Sequence, residues 1–468
     1  MAAPAHLEWA HHPHNPYNWP PRKKWMCMLT SCWVTFIVGL NATSITTAAE
    51  PISRDFDLSN GFFEYNFFAV TAWNAAAAIV PLATLPLMET YGMRVGFVTS
   101  YILFTIFIIP QALAQNFATL VVCRAIAGAF GGTLQNSADG LASNIFLSHR
   151  ERVFPLTLYV FTLVFGVTMG PVLGAAFQPL GWRWVFWIEL IIYGAFAPIV
   201  VILMKESRGP ILRARLFPDS DTTTKPTKSE AIRTFKETIV RSALLLTTEP
   251  TVTVFTLWSA FAFGLVFIST QSIPIVFSGT YNWPSHTDGL VQSAIGIGQI
   301  LGLLLTTFYQ NRLYTRSAAH NPEHPGTPIP EAILHLSIPS TAVALAGGLF
   351  MYGWSTEQTH WIVPAIALAL IGYAIMVIVT AVSIYVTDSY AGYAASAIGA
   401  VAFGENIFAA FLPLAAKPMY LRLGYQWASS LLGFVAAVLT LAPVVLIWKG
   451  RAIRERSVAI RKMNIEGL

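Results

Sequence analysis

Arg124, Gly131, Gln135 and Asp139 stand in the stretch RAIAGAFGGTLQNSAD, inside a long apolar run. On a helix of about 100° per residue the first three share one face, and Asp139 falls about 60° away from it. A permanently charged guanidinium in such a run needs water or a carboxylate partner. Two readings follow: the face looks into a wet interior, or Arg124 snorkels to the nearer membrane surface. A second chemical centre is Glu405, about eleven residues or roughly 16 Å into another apolar run. A carboxylate held at depth is suited to exchanging a proton as a ligand arrives or leaves. Glu405, Arg124 and Asp139 are therefore the proton-coupling candidates. Glu189 lies a turn inside its own apolar run, and Glu50 and Glu64 flank a loop.

The elements that must hold these groups are transmembrane helices. Hydrophobic residues make up 55% of the chain and charged residues 11%, about half the charge of a soluble domain. Runs long enough to cross a hydrocarbon core of about 30 Å are expected at 25–48, 66–88, 95–111, 120–141, 154–177 and 184–204, then at 251–273, 290–308, 338–352, 362–386, 394–414 and 427–448. These are spans one to twelve, six in each half. The first apolar run is too long for a cleaved leader and is expected to remain as span one. The chain divides into a segment 1–24, a bundle 25–204, a polar, basic, proline-interrupted loop 205–248, a bundle 249–448 and a tail 449–468.

Other classes find little support. Cys27, Cys32 and Cys123 all fall in apolar segments, which gives no disulfide framework or metal site. The ten histidines lie in tails, loops or span ends, so no buried catalytic cluster is expected and the chain is not read as an enzyme. No phosphate-binding loop, nucleotide fingerprint or arginine row of a voltage sensor occurs. No cofactor and no nucleic acid is expected.

With the amino terminus inside, cytoplasmic segments collect 23 of the 28 Lys and Arg, outside segments hold Arg54, Arg183, Lys417 and Arg422, and Arg124 alone lies within a span. Discounting the long loop leaves a bias of 14 to 4, so both termini are expected in the cytoplasm. The opening HPHNPYNWPPRKKW fits this. Arg22, Lys23 and Lys24 hold the start of span one at the surface, Trp19 and Trp25 suit the headgroup layer, and the prolines delay the helix.

Two further motifs concern movement. In GVTMGPVLG, Gly166, Gly170 and Gly174 are four apart on one face with Pro171 between them, and span eight offers Gly298 and Gly302. Small faces of this kind let helix backbones approach closely, and the two are expected to meet in a seam between the bundles. In METYGMRVGF, Gly92 sits in a short turn between Glu89 and Arg94. Those charges either pair across the bundle interface or are ordinary loop charges.

Six spans plus six around a basic central loop is the layout of major facilitator transporters. The motifs add to this: NPYNWPPRKKW, RAIAGAFGG and GPVLG resemble the amino-terminal, span-four and antiporter signatures of the fungal twelve-spanner drug:proton antiporters of that superfamily. LGWRWVFWI, KESRGPIL, HWIVP, TDSYAGYAASA and FLPLAAKPMYLRLGYQWASSLL extend the resemblance along nearly the whole chain. Three positions depart from the pattern: Met93 and Ile333 replace basic residues, and Glu405 stands where relatives often carry arginine.

The resemblance implies an all-α polytopic membrane protein of the major facilitator fold, exporting a small, fairly hydrophobic compound in exchange for protons. A drug, toxin or secondary metabolite would fit. An importer, a uniporter or a non-transporting sensor on the same fold is the alternative. Substrate contacts are expected from Asn41, Asn66, Trp73, Asn74 and Gln135 in the first half and Gln271, Gln299, Tyr373 and Asn406 in the second, although such amides also serve as helix-to-helix glue. The expected partners are the substrate, protons and the bilayer. A monomer in the cell membrane is expected, the vacuolar membrane being the alternative.

Overall fold

The computed structural model describes residues 9–58, 70–217, 228–321, 326–390, 393–457 and 459–461. Among these residues there are helices and turns and no strand. Glu64 and Asn66 lie outside the described residues.

Among the described residues, ten helical stretches are long and apolar enough to cross a membrane. The last of them, Ala394–Arg456, holds spans eleven and twelve, because Gly424 at φ 77° and ψ 167° breaks the rod between them. Span two is described as Ala72–Ile79 followed by Pro81–Tyr91, where Pro81 removes a backbone donor and divides the helix. The other spans are Pro21–Ser44, Met93–Ile106, Phe117–Ile145, His149–Phe177 and Trp182–Leu203, then Pro250–Tyr281, Ser285–Leu305, Gly347–Ser355 with the π-helical turn Ser340–Ala346 before it, and Ile362–Ser389. The central loop is itself largely helical, at Gly209–Leu216 and Lys228–Thr248.

Local chemistry sets several helix ends. Pro20 is extended and Pro21 opens span one, a position where a missing amide costs nothing. Asn116 accepts a bond from the Thr119 amide at 2.8 Å to start span four. Span three begins after Gly92 at φ 124°, a value that favours glycine, and its free amides at Met93 and Arg94 donate to the Glu206 carboxylate at 3.1 and 3.2 Å. Carboxylates suit that end of a helix.

The halves repeat one another in how their helices meet. Gly128 and Gly132 of span four seat on Trp73 and Ala77 of span two, and Gly298 and Gly302 of span eight seat on Ala369, Tyr373 and Met376 of span ten. Gly166 and Gly170 of span five lie against Phe36, Leu40 and Thr43 of span one, as Gly404 of span eleven lies against Thr256 of span seven. The two expected glycine faces therefore do not meet each other. Each closes a contact inside its own half, since a helix without side-chain bulk can approach a neighbour only where that neighbour is.

The seam between halves is built from other residues of the same helices. A Cβ on Gly289 of span eight would meet the Pro171 carbonyl and Ala175, and one on Gly296 would meet Met169 and Phe165. Gln299 Nε2 donates to Thr168 Oγ1 at 2.6 Å and Asn311 Nδ2 to Thr157 Oγ1 at 3.1 Å. Spans two and eleven add Thr71 Oγ1 to the Ala410 carbonyl at 2.5 Å.

Trp19 is 5% exposed, so it packs on protein and not in the headgroup layer. Lys23 Nζ lies 3.7 Å from its ring centroid, and Trp25 packs against Phe146 and Phe154. At the opposite end, Asp55 accepts from Trp182 Nε1 at 2.7 Å and Arg183 at 3.0 Å. The Trp182 bond first, and then the Arg183 guanidinium, hold the Asp55 carboxyl below its ordinary range.

Candidate functional site

Span one ends at Ser44, which leaves carbonyls of its last turn short of amide partners. Arg124 supplies them. Its two terminal nitrogens donate to the Asn41 carbonyl at 2.8 Å and the Ala42 carbonyl at 3.0 Å, and the side chain is 0% exposed. A cation is favoured at a helix carboxy end, and a planar fork reaches two successive carbonyls. Snorkelling is thus ruled out, and so is a guanidinium standing free in water.

Asn41 joins this group to a carboxylate. Its Oδ1 accepts from Trp73 Nε1 at 3.0 Å, and its Nδ2 donates to Glu189 Oε2 at 2.7 Å. Ser44 Oγ donates to the other Glu189 oxygen at 2.6 Å. Glu189 is 1% exposed. The outcome is a buried acid and base, bridged by an amide, at the meeting of spans one, two, four and six. Asn41 and Trp73, expected as substrate contacts, have their polar atoms engaged in this set.

The second half carries a smaller counterpart. Glu405 is buried on span eleven and accepts a bond from Ser259 of span seven. Asn406 turns back to the Ala402 carbonyl at 2.8 Å.

At the end that carries the termini, Asp388 of span ten gathers residues from both halves. Arg152 Nη2 donates to it at 2.6 Å, His149 Nδ1 lies at 3.0 Å, and the Tyr314 hydroxyl bonds its second oxygen. Asp139 is buried nearby, and its Oδ1 has no hydrogen-bond partner among the described residues. This cluster is where charge crosses the seam.

The turn between spans two and three serves the first half alone. Glu89 pairs with Arg208 at 3.5 Å, and Arg94 Nη2 donates to the Val201 carbonyl at 3.2 Å. Of the two readings, pairing across the bundle interface is not what forms: the Glu206 carboxylate holds the free start of span three, which brings Arg208 beside Glu89.

The remaining candidates disperse. Asn74 Nδ2 donates to its own Val70 carbonyl at 2.9 Å. Gln135 is buried, and Gln271 half-buried. Gln299 is seam glue. The Tyr373 hydroxyl accepts from Ser340 at 3.0 Å, which points it at span nine and away from the seam. A cavity of about 200 Å³ lies between the halves near their other end, its mostly apolar walls interrupted by Thr46, Glu50, Ser269, Thr270, Asp288 and Gln292. Of these only Glu50 stood out in the sequence. Asp388 lay within the quoted TDSYAGYAASA, and the His149 to Arg152 spacing at the start of a span was the available signal for its partners.

Among the described residues, helices in two repeated sets, a buried acid–base group at the end of span one and a charge cluster across the seam define a polytopic transporter architecture. The Major Facilitator Superfamily profile matches residues 31–389, and the chain belongs to that family. It is 32% identical to the MFS transporter cpaT of Aspergillus oryzae, over 95% of this chain and 90% of that one. It is 30% identical to the efflux pump radE of Floropilus chiversii, over 94% and 83%, and 31% identical to the MFS-type transporter penM of Penicillium rubens, over 94% and 87%. The human organic anion transporter MFSD10 (TETRAN) has the same fold at a TM-score of 0.60 and 14% identity, covering 91% of this chain and 100% of its own. The protein is a multi-pass membrane transporter.

Proposed function

We propose that this transporter exports a small, fairly hydrophobic organic compound in exchange for protons. The observation that carries the reading is the buried set Arg124–Asn41–Glu189, in which a charge change on the acid is felt by span one through Asn41 and Ser44. Loss or gain of a proton there alters hydrogen bonds that fix the end of span one, the helix on which span five is packed. Glu405, buried with Ser259 between spans seven and eleven, is the second proton site. Direction rests on the GPVLG resemblance and on a relative named as an efflux pump.

In this reading the bundles 25–204 and 249–448 rock about the five–eight seam, tied by the loop 205–248. Both termini are cytoplasmic, the membrane is the cell membrane, and the working unit is a monomer. The test is efflux of a lipophilic fluorescent cation and a lipophilic fluorescent weak acid from cells deleted for their own pumps, with and without a protonophore. Expression should lower retention of at least one dye, and the protonophore should abolish that effect. Protonophore-insensitive export would remove the coupling, and faster uptake would favour the importer.

A further inference from the structure

The residues before span one and those after span six enclose a cavity of about 370 Å³ at the end of the bundle that carries the termini, a volume within the usual range of small-molecule sites. Its walls include Trp9, Asn15, Tyr17, Asn144, Arg208 and Arg213. The walls are built and not incidental. Asn15 Nδ2 donates to the Trp9 carbonyl at 3.2 Å, Asn18 Nδ2 to the Ala10 carbonyl at 2.7 Å, and the Tyr17 hydroxyl to the Ser143 carbonyl at 3.4 Å. Trp9 stacks on His12, and His12 meets Phe217 edge-on at 5.8 Å. The amino-terminal segment is folded down over the short helix Gly209–Leu216.

Two guanidinium groups line this space with donors to spare. Both side chains line the cavity, and the Arg213 guanidinium has no hydrogen bond or ion pair with any described residue. Arg208 reaches Asn144 Oδ1 only at 3.4 Å and Glu89 at 3.5 Å, the long limit for such bonds. The other carboxylate close by, Glu206, already accepts from the amides of Met93, Arg94 and Arg208. Guanidinium groups that line a cavity without a full set of acceptors favour an anion with several oxygens. Paired arginines beside aromatic walls suit a phosphate group.

We propose that this cavity binds a phosphate-bearing group, supplied either by a phosphorylated lipid headgroup or by a soluble phosphate ester. Its occupant ties the amino-terminal segment to the chain after span six and leaves the Arg124 and Glu405 groups untouched. Lys23 and Lys24 at the adjoining start of span one add to the attraction of an anionic surface.

Two arms separate the sources, both on the full-length protein. In the first, the transporter is held in phosphatidylcholine nanodiscs doped with phosphatidylinositol phosphate, and retained lipid is read by native mass spectrometry. In the second, lipid-stripped protein in detergent is titrated with inositol hexakisphosphate, and binding is read by calorimetry. Retention of the phospholipid alone identifies the bilayer as the source; binding of the soluble ester alone identifies the cytosol. Either supports the site, provided that Arg213→Gln weakens the binding about tenfold or more, the effect of losing a charge-assisted bond. Trp9→Ala, which keeps every charge, should weaken it less, and it stands in should Arg213→Gln lose its monodisperse gel-filtration peak. Failure of both probes to bind the wild type, or equal binding by both variants, would overturn the proposal.

Discussion

Replacing Arg124 by lysine keeps the charge and removes the fork. The guanidinium donates to two consecutive carbonyls, at 2.8 and 3.0 Å, through two different nitrogens. An ammonium on a straight stem reaches one of them well, so one charge-assisted bond is lost, about 1.5–3 kcal/mol, or roughly 10- to 150-fold in the equilibrium that holds the site together. Arg124→Gln goes further, because it also leaves the Glu189 acid buried without its cation, and the cost rises to about 3–5 kcal/mol. If Asn41 couples the two groups as its bonds indicate, the double variant Arg124→Gln/Glu189→Gln should be less destabilised than the two single losses added together, by about 1 kcal/mol or more. Unfolding of the purified protein by graded sodium dodecyl sulfate measures the wild type and all four variants, with efflux assayed in parallel. Strict additivity, or a lysine variant as stable and active as the wild type, would refute the account of this site.

Asp388→Asn should weaken the cluster with Arg152, His149 and Tyr314 and shift the seam toward its open form by about 5- to 150-fold; cross-linking yield between cysteines at Thr157 and Asn311 should fall, and an unchanged yield would remove the latch. Gly170→Leu should lower protein level as well as efflux, because its Cβ would overlap Thr43 Oγ1 and the Leu40 carbonyl inside the first half; normal amounts of inactive protein on an immunoblot would point back to a moving seam. A cysteine at Arg215 should react with an impermeant maleimide only after cells are opened, and the native background serves because Cys27, Cys32 and Cys123 are buried; labelling of intact cells would invert the topology. Glu405→Gln should still exchange substrate down its gradient while losing pH-driven accumulation; equal loss of both modes would make Glu405 structural.

The twelve runs were legible because a span announces itself by length and apolarity, and the broken points, Pro81 and Gly424, are residues that interrupt helices anywhere. Arg124 was legible as well, being the one cation inside a span. Its partners were not. Pairing Arg124 with the end of span one depends on where Ser44 stops the helix, and Glu189 gave no hint in sequence that it would face Asn41. The glycine faces show the same limit: spacing reveals that a close approach exists and is silent on which neighbour makes it. Span five carries two working faces, one of glycine toward span one and one with Thr157, Thr168 and Pro171 toward span eight. Asp388 was hidden by its position at a span end, where an acidic residue is ordinarily a solvated one.

Proton-driven movement is the central claim, and reconstitution tests it with no cell to confuse direction. The wild-type protein is placed in liposomes with an acidic interior and a lipophilic fluorescent cation outside. Proton antiport predicts that the dye is concentrated inside while the interior alkalinises faster than in protein-free vesicles, and that nigericin abolishes both signals. Dye that merely equilibrates, at the same rate with and without the pH gradient, would contradict the account.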